Sequence, residues 1–129
     1  MNRIYVDLRS RTPIFEQIID AVQDLAVRGL MQPDEPLPSV RALAAELAIN
    51  PNTIQKAYAE LERRGVSYSL PGRGNFIASD LSALRSAHRA ELLAQIARGM
   101  ESAAAYGVSK AEIDALIADI FTDKEEKQR

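Results

Sequence analysis

The sequence predicts a mainly α-helical chain that carries one small β-hairpin. Three observations support this. Apolar residues recur at helical spacing in five stretches, and each stretch is bracketed by cap or stop residues. Between residues 66 and 78 the period shifts toward alternation around Pro71-Gly72-Arg73-Gly74.

Taken in order, Ile4 to Leu8 reads as an extended lead-in or an edge strand. Thr12 as a cap with Pro13 at the first helical position opens a helix over about 13–28, with Phe15, Ile18, Val22 and Leu25 inward and Gly29 as its stop. Met31 to Pro38 contains Pro33, Pro36 and Pro38, which fix φ and remove backbone donors, so it is an ordered loop. Ser39 caps a second helix with Val40, Leu43, Ala44 and Leu47 on one face. Asn50 caps a third, with Pro51 at its first position, Ile54, Ala57, Tyr58 and Leu61 inward, and Gly65 at its end. Strands from Val66 to Leu70 and from Asn75 to Ala78 flank a turn in which proline presets φ and glycine allows positive φ. Asp80 caps a long helix over about 81–105, ended by Gly107. Ser109 to Glu112 forms a capping box, and Ile113, Leu116, Ile117, Ile120 and Phe121 complete a last amphipathic helix before a charged, frayed tail from Asp123 to Arg129.

Composition removes whole classes of function. The 129 residues allow one domain, or one domain plus an appendage. With no Cys there is no disulfide, thiolate zinc site or cysteine nucleophile, and with one His most metal and acid–base constellations go too. The reading is a non-enzyme with no cofactor and no metal. No apolar stretch approaches the roughly 20 residues of a membrane span, and Met1 to Ser10 has no signal-peptide core. A soluble, cytoplasmic chain without a membrane partner is therefore expected.

One supporting helix, two short helices across a tight turn and a hairpin make the layout of a winged helix-turn-helix, here followed by a C-terminal two-helix dimerisation appendage. The division is 1–79 for the winged unit and 80–129 for the appendage. In such a unit the second short helix enters the major groove with its N-terminal residues on base edges. Asn50, Asn52, Thr53, Gln55 and Lys56 stand there, opposite the apolar Ile54, Ala57 and Tyr58. Asn and Gln pair bidentately with adenine, and Lys reaches guanine or phosphate. The whole chain has a formal charge of −2, yet residues 37–77 hold Arg41, Lys56, Arg63, Arg64 and Arg73 against Glu46, Glu60 and Glu62, a local net of +2. So small an excess gives weak, salt-sensitive binding per half-site, for which a homodimer on a double-stranded operator compensates.

The combination of Leu37-Pro38-Ser39-Val40-Arg41 with Leu43-Ala44, Asn50-Pro51-Asn52-Thr53, Ala57-Tyr58 with Leu61-Glu62 ending at Gly65, and Gly72-Arg73-Gly74 with Phe76-Ile77 resembles the GntR family of bacterial transcription regulators. The Asn-Pro-Asn-Thr start and short two-helix tail resemble its YtrA-like subfamily. The resemblance implies a homodimeric repressor, paired through its C-terminal helices and often controlling transporter operons. It also implies DNA roles for Arg41, for Asn52, Thr53 and Lys56, and for the wing around Arg73 and Gly74.

Each residue also has a plainer explanation. Asn50 and Thr53 are ordinary helix-start chemistry, and the cap alone is the favoured role of Asn50. Asn52 and Gln55 are not needed by the helix, which leaves the groove. Arg63 and Arg64 complement the helix dipole, and Tyr58 is core. Arg73 exceeds what the turn requires, so it is assigned to phosphate or the minor groove at the wing tip. Ser39 and Arg41 are expected to fix register on phosphates. Leu84, His88, Leu92 and Ile96 form one row on the long helix, with Met100 beside it, and are assigned to the dimer interface, His88 as an interface histidine in preference to a pH sensor or metal ligand. At 1.5 Å per residue this helix spans roughly 37 Å, enough to hold two reading helices about 34 Å apart. The competing reading is a winged-helix protein-interaction module without DNA affinity, which the net acidity favours and the polar, basic third helix opposes. No small-molecule effector can be named.

Overall fold

The computed structural model describes residues 3–128, with side chains as far as Thr122. The described elements are α1 (Ile14–Val27), α2 (Val40–Leu47), α3 (Pro51–Arg63), β1 (Ser67–Leu70), β2 (Gly74–Ile77), α4 (Ser82–Ala105) and α5 (Lys110–Gln128). The chain divides into two compact units, Met1–His88 and Arg89–Arg129.

In the first unit α3 lies at the centre, packed on α1, α2 and β1. Its inward face, Ile54, Ala57, Tyr58 and Leu61, is buried together with Ile18, Ile19 and Val22 of α1, Leu43 of α2, Val66 just before the hairpin and Ile77 of β2. Burial of such side chains contributes about 1.5–3 kcal/mol each, and this fixes the helix orientations. Ile4 is buried in the same core, so the lead-in segment is anchored there without forming a strand. The hairpin pairs antiparallel, Ser67 with Ile77 and Tyr68 with Phe76, and the Tyr68 and Phe76 rings stack at 5.5 Å. The proline-rich loop is ordered by the same hairpin: Asp34 N–H donates to the Ile77 carbonyl, Ile77 N–H to the Glu35 carbonyl and Leu37 N–H to the Asn75 carbonyl, at 2.8–2.9 Å.

Helix ends follow the cap residues, with two corrections, at Thr12 and in the tail, and one end for which the sequence offered no stop signal. Thr12 does not cap α1. Pro13 occupies the cap position without a side-chain bond, while the Thr12 carbonyl accepts from Gln17 at 2.8 Å. At the end of α2 no glycine is present and Ala48 itself adopts the left-handed conformation, φ 56°. And α5 continues to Gln128, past the frayed tail expected from Asp123, because its Lys, Glu and Gln residues favour helix. The side chains of residues 123–129 lie outside those described.

In the second unit the capping box forms as the sequence predicts. Ser109 N–H donates to Glu112 Oε2 at 2.8 Å and Glu112 N–H to Ser109 Oγ at 3.2 Å. No side chain of α4 is fully buried, and Leu92, Leu93, Ile96, Leu116, Ile120 and Phe121 are exposed. Among the described residues no helix is long and apolar enough to cross a membrane.

Candidate nucleic-acid interface

The N-terminal turn of α3 is held by Asn50, whose Oδ1 accepts the Asn52 N–H at 2.9 Å, while the Asn50 carbonyl accepts the Thr53 N–H at 3.0 Å. Asn50 therefore uses its oxygen as a cap, and only its amide N–H group is left for another partner. Asn52, Gln55 and Lys56 are exposed, and Thr53 is half-buried. The Lys56 ammonium lies 5.5 Å over the Phe15 ring of α1, a cation–π contact that leaves its hydrogen-bond donors available. Ser39 likewise caps α2, accepting the Ala42 N–H at 3.0 Å, and Arg41 projects exposed from the first turn.

The wing tip is a tight turn closed by Arg73 N–H donating to the Leu70 carbonyl at 2.9 Å. Pro71 sets the first corner. Gly72 at φ 77° and Gly74 at φ 112° take conformations a side chain disfavours, which leaves Arg73 as the exposed side chain between them. Two buttresses hold this hairpin against the rest of the unit. Glu62 on α3 accepts from Ser69 N–H and Oγ at 3.1 and 2.9 Å. Asp34, in the left-handed conformation at φ 65°, accepts from Tyr68 Oη at 2.8 Å and Ser79 Oγ at 2.6 Å. Those bonds lower the Asp34 pKa below the usual carboxylate range, that from Ser79 contributing most. Tyr58 ties α3 to the loop before α2 by donating to the Pro38 carbonyl at 2.7 Å. It is a core residue, as expected.

Electrostatics separate the cations of this unit. Arg63 and Arg64 both pair with Glu60, and the Arg63 hydrogen bond, followed by that of Arg64, pulls the Glu60 carboxyl down to about 2. Both guanidiniums at the end of α3 are thus engaged within the chain. Arg41 and Arg73 have no partner among the described residues, and Lys56 has only the Phe15 ring. Sequence reasoning identified these three cations and missed the buttresses at Glu62 and Asp34. The Arg–Glu pairing was readable, since Glu60 lies three and four residues before Arg63 and Arg64.

The row on α4 divides along its length. Leu84 packs on the core of the first unit, and His88 lines a cleft there with Asp20, Gln23, Asp24 and Val27. Leu92, Ile96 and Met100 stand in the second unit, 43%, 53% and 36% exposed.

Comparison with known proteins agrees with this architecture. Residues 14–77 match the bacterial regulatory proteins of the gntR family. The HTH-type transcriptional repressor YtrA of Bacillus subtilis is 51% identical over 77 residues, 60% of this chain and 59% of that protein. The chain thus spans about three-fifths of that relative's length. A GntR family transcriptional regulator from Listeria monocytogenes superposes with a TM-score of 0.68 at 30% identity, covering 88% of this chain and 98% of the other. The DNA-binding domain of AraR, solved in complex with operator ORX1, gives 0.51 at 26% identity over 57% of this chain and 92% of its own. By the matched segment, the shared fold and the near-complete coverage of the Listeria protein, this chain belongs to the gntR family of bacterial regulatory proteins.

Proposed function

We propose that the chain is a transcriptional repressor that binds a palindromic operator in double-stranded DNA as a homodimer. Residues 1–79 serve as the DNA-binding domain and 80–129 as the helical dimerisation segment. The observation that carries the reading is the exposed set of Asn52, Gln55 and Lys56 on α3, together with Arg41 on α2 and Arg73 in the wing, which have no partner among the described residues. Amide and ammonium groups whose hydrogen-bond donors the fold leaves unused are suited to base edges. Ser39, Asn50 and Thr53 contribute a hydroxyl, an amide N–H and a hydroxyl from the two helix starts, and Gly74 lets the wing backbone approach the duplex. Dimer contacts come from Leu92, Ile96 and Met100, with Leu84 and His88 at the near end of the row. Relatives named as repressors, and an operator-bound relative, support both the DNA target and the sign of regulation. Control of a transporter operon from the cytoplasm, with no cofactor, completes the proposal.

The test is fluorescence anisotropy of the full chain on a duplex from its own upstream region and on a scrambled duplex, at 50 and 200 mM salt. A preference for the upstream duplex, with affinity that falls steeply as salt rises, is expected. A winged-helix protein-interaction module would show no salt-dependent binding to either. Lys56→Ala should cost roughly 1–3 kcal/mol on the upstream duplex if the side chain reads a base, and lower the salt slope if it touches phosphate.

A further inference from the structure

Cations in the first unit are either paired within the chain or left open, and the open set is larger than the one the third helix and the wing account for. Arg3 binds the Glu35 carboxylate and the Leu30 carbonyl. Arg28 pairs with Asp24, Arg63 and Arg64 with Glu60, and Arg85 donates to the Val27 carbonyl. Beyond Arg41, Lys56 and Arg73, the guanidiniums of Arg9 and Arg11 have no partner among the described residues, and both residues are exposed.

The loop that bears them is fixed. Gln17 of α1 clamps it from below: its Oε1 accepts the Asp7 N–H at 2.7 Å, and its Nε2 donates to the Asp7 carbonyl at 3.0 Å and to the Thr12 carbonyl at 2.8 Å. Ser10 N–H donates to the Asp7 carbonyl, and Thr12 N–H to Ser10 Oγ. The Asp7 carboxylate, the nearest acid in sequence, accepts the backbone N–H of Arg9 at 2.9 Å and is not paired with its guanidinium. Glu16 and Asp20 of α1 line a cleft with Glu60 and Arg64 instead. An ordered loop thus holds two open guanidiniums where a flexible one would cost binding entropy.

Its place in the fold supplies the partner. The loop runs directly into the first turn of α1, whose Phe15 ring lies beneath the Lys56 ammonium. Phe15, four residues beyond Arg11, is the α1 residue that meets Lys56, so the loop enters α1 at the end that lies against α3. We infer that Arg9 and Arg11 clamp phosphates of the duplex beside the groove that α3 occupies, a backbone contact formed by the N-terminal loop in addition to the wing. The inference rests on the DNA-binding reading above. The guanidinium fork suits phosphate oxygens, and such contacts position the protein without reading sequence.

The experiment is the salt titration of the full-length double variant Arg9→Gln/Arg11→Gln on the upstream and scrambled duplexes. Two lost phosphate contacts should lower the slope of log K against log salt by about 1.8. Affinity should fall by a similar factor on both duplexes, about tenfold or more at low salt, with discrimination between them retained. Thermal unfolding should match the parent, because neither guanidinium has a hydrogen bond or ion pair among the described residues. A variant with the parental slope and affinity overturns the inference while leaving the DNA-binding reading intact. So does a loss confined to the upstream duplex, which would mean base reading. A parent chain that binds neither duplex overturns both.

Discussion

The first unit closes its core within one chain, and the second does not. Ile18, Val22, Leu43, Ile54, Leu61 and Ile77 are fully buried around α3, and the unit presents Asn52, Gln55, Lys56, Arg41 and Arg73 to solvent, while its exposed apolar side chains, Tyr5, Leu8, Leu30 and Leu70, fall in separate stretches of the sequence. The second unit exposes Leu92, Leu93, Ile96, Leu116, Ile120 and Phe121 on two helices. Apolar surface left in water on that scale marks an interaction site. The difference separates two surfaces: one unit has a closed core and presents polar side chains from α3, and the other leaves apolar side chains of α4 and α5 exposed.

Truncations test the contrast most directly. Leu61→Ala removes a side chain buried on all sides at the centre of the first unit and should cost about 2–5 kcal/mol, read as a lower urea midpoint. Ile96→Asp, on an exposed surface, should leave the secondary structure of the chain intact by circular dichroism. Its effect should appear as a monomer in sedimentation and as operator affinity reduced by about a hundredfold, the avidity of the second half-site. If Ile96→Asp sediments as the parent does, the proposed dimer surface is not this one. If Leu61→Ala is neutral, the closed core is not what holds the first unit.

Both units were legible in the sequence to the extent that their physics is local. Helical periodicity placed α1 to α5, and Asn50-Pro51 and Ser109 to Glu112 placed two helix starts, because caps act within a few residues. The open cations of α2, α3 and the wing followed from polar residues that the helices did not need. Periodicity could not show where the core stops along α4, so Leu84 and Leu92 read as one row although Leu84 packs on the first unit and Leu92 is exposed. Nor could it show Asp34 reaching Tyr68 and Ser79, a contact across 34 and 45 residues made by a left-handed turn. The clamp at Gln17, a side chain reaching back 5 and 10 residues to backbone groups, leaves no periodic signal, and with it the arginines of its loop were hidden.

The helix ends give a smaller and more local test of the first unit. α1, α3 and α4 end alike: the N–H of Gly29, Gly65 and Gly107 bonds back to Ala26, Glu62 and Ala104, and the next N–H reaches Leu25, Leu61 and Ala103. α2 ends the same way, with Ala48 N–H to Ala45 and Ile49 N–H to Ala44, but the left-handed residue has a methyl group. That conformation costs an L-residue about 1–2 kcal/mol, and glycine gives back part of the gain through its freer unfolded state. Ala48→Gly should therefore stabilise the chain by about 0.5–1 kcal/mol. A destabilised variant in thermal or urea unfolding would show that the Ala48 methyl has a packing role that outweighs the strain.

Acid sensitivity separates the units most subtly. Asp34, Glu60 and Asp80 have carboxyls held below the ordinary range by Ser79 and Tyr68, by Arg63 and Arg64, and by Ser82 respectively, and all three belong to the first unit. A carboxyl lowered on folding adds stability at every pH above its unfolded value and loses it as protonation sets in. For Glu60 the window runs from about 4.5 down to about 2, the ordinary and the folded values. Glu60→Gln should change little at pH 7, where exposed ion pairs contribute weakly, and should make stability fall less steeply than in the parent between those limits. Some acid dependence must survive, since Asp34 and Asp80 still titrate below the ordinary carboxylate range. Urea midpoints at pH 7, 4 and 3 check this. If parent and variant fall in parallel, the Arg63–Glu60–Arg64 cluster does not hold the Glu60 proton off.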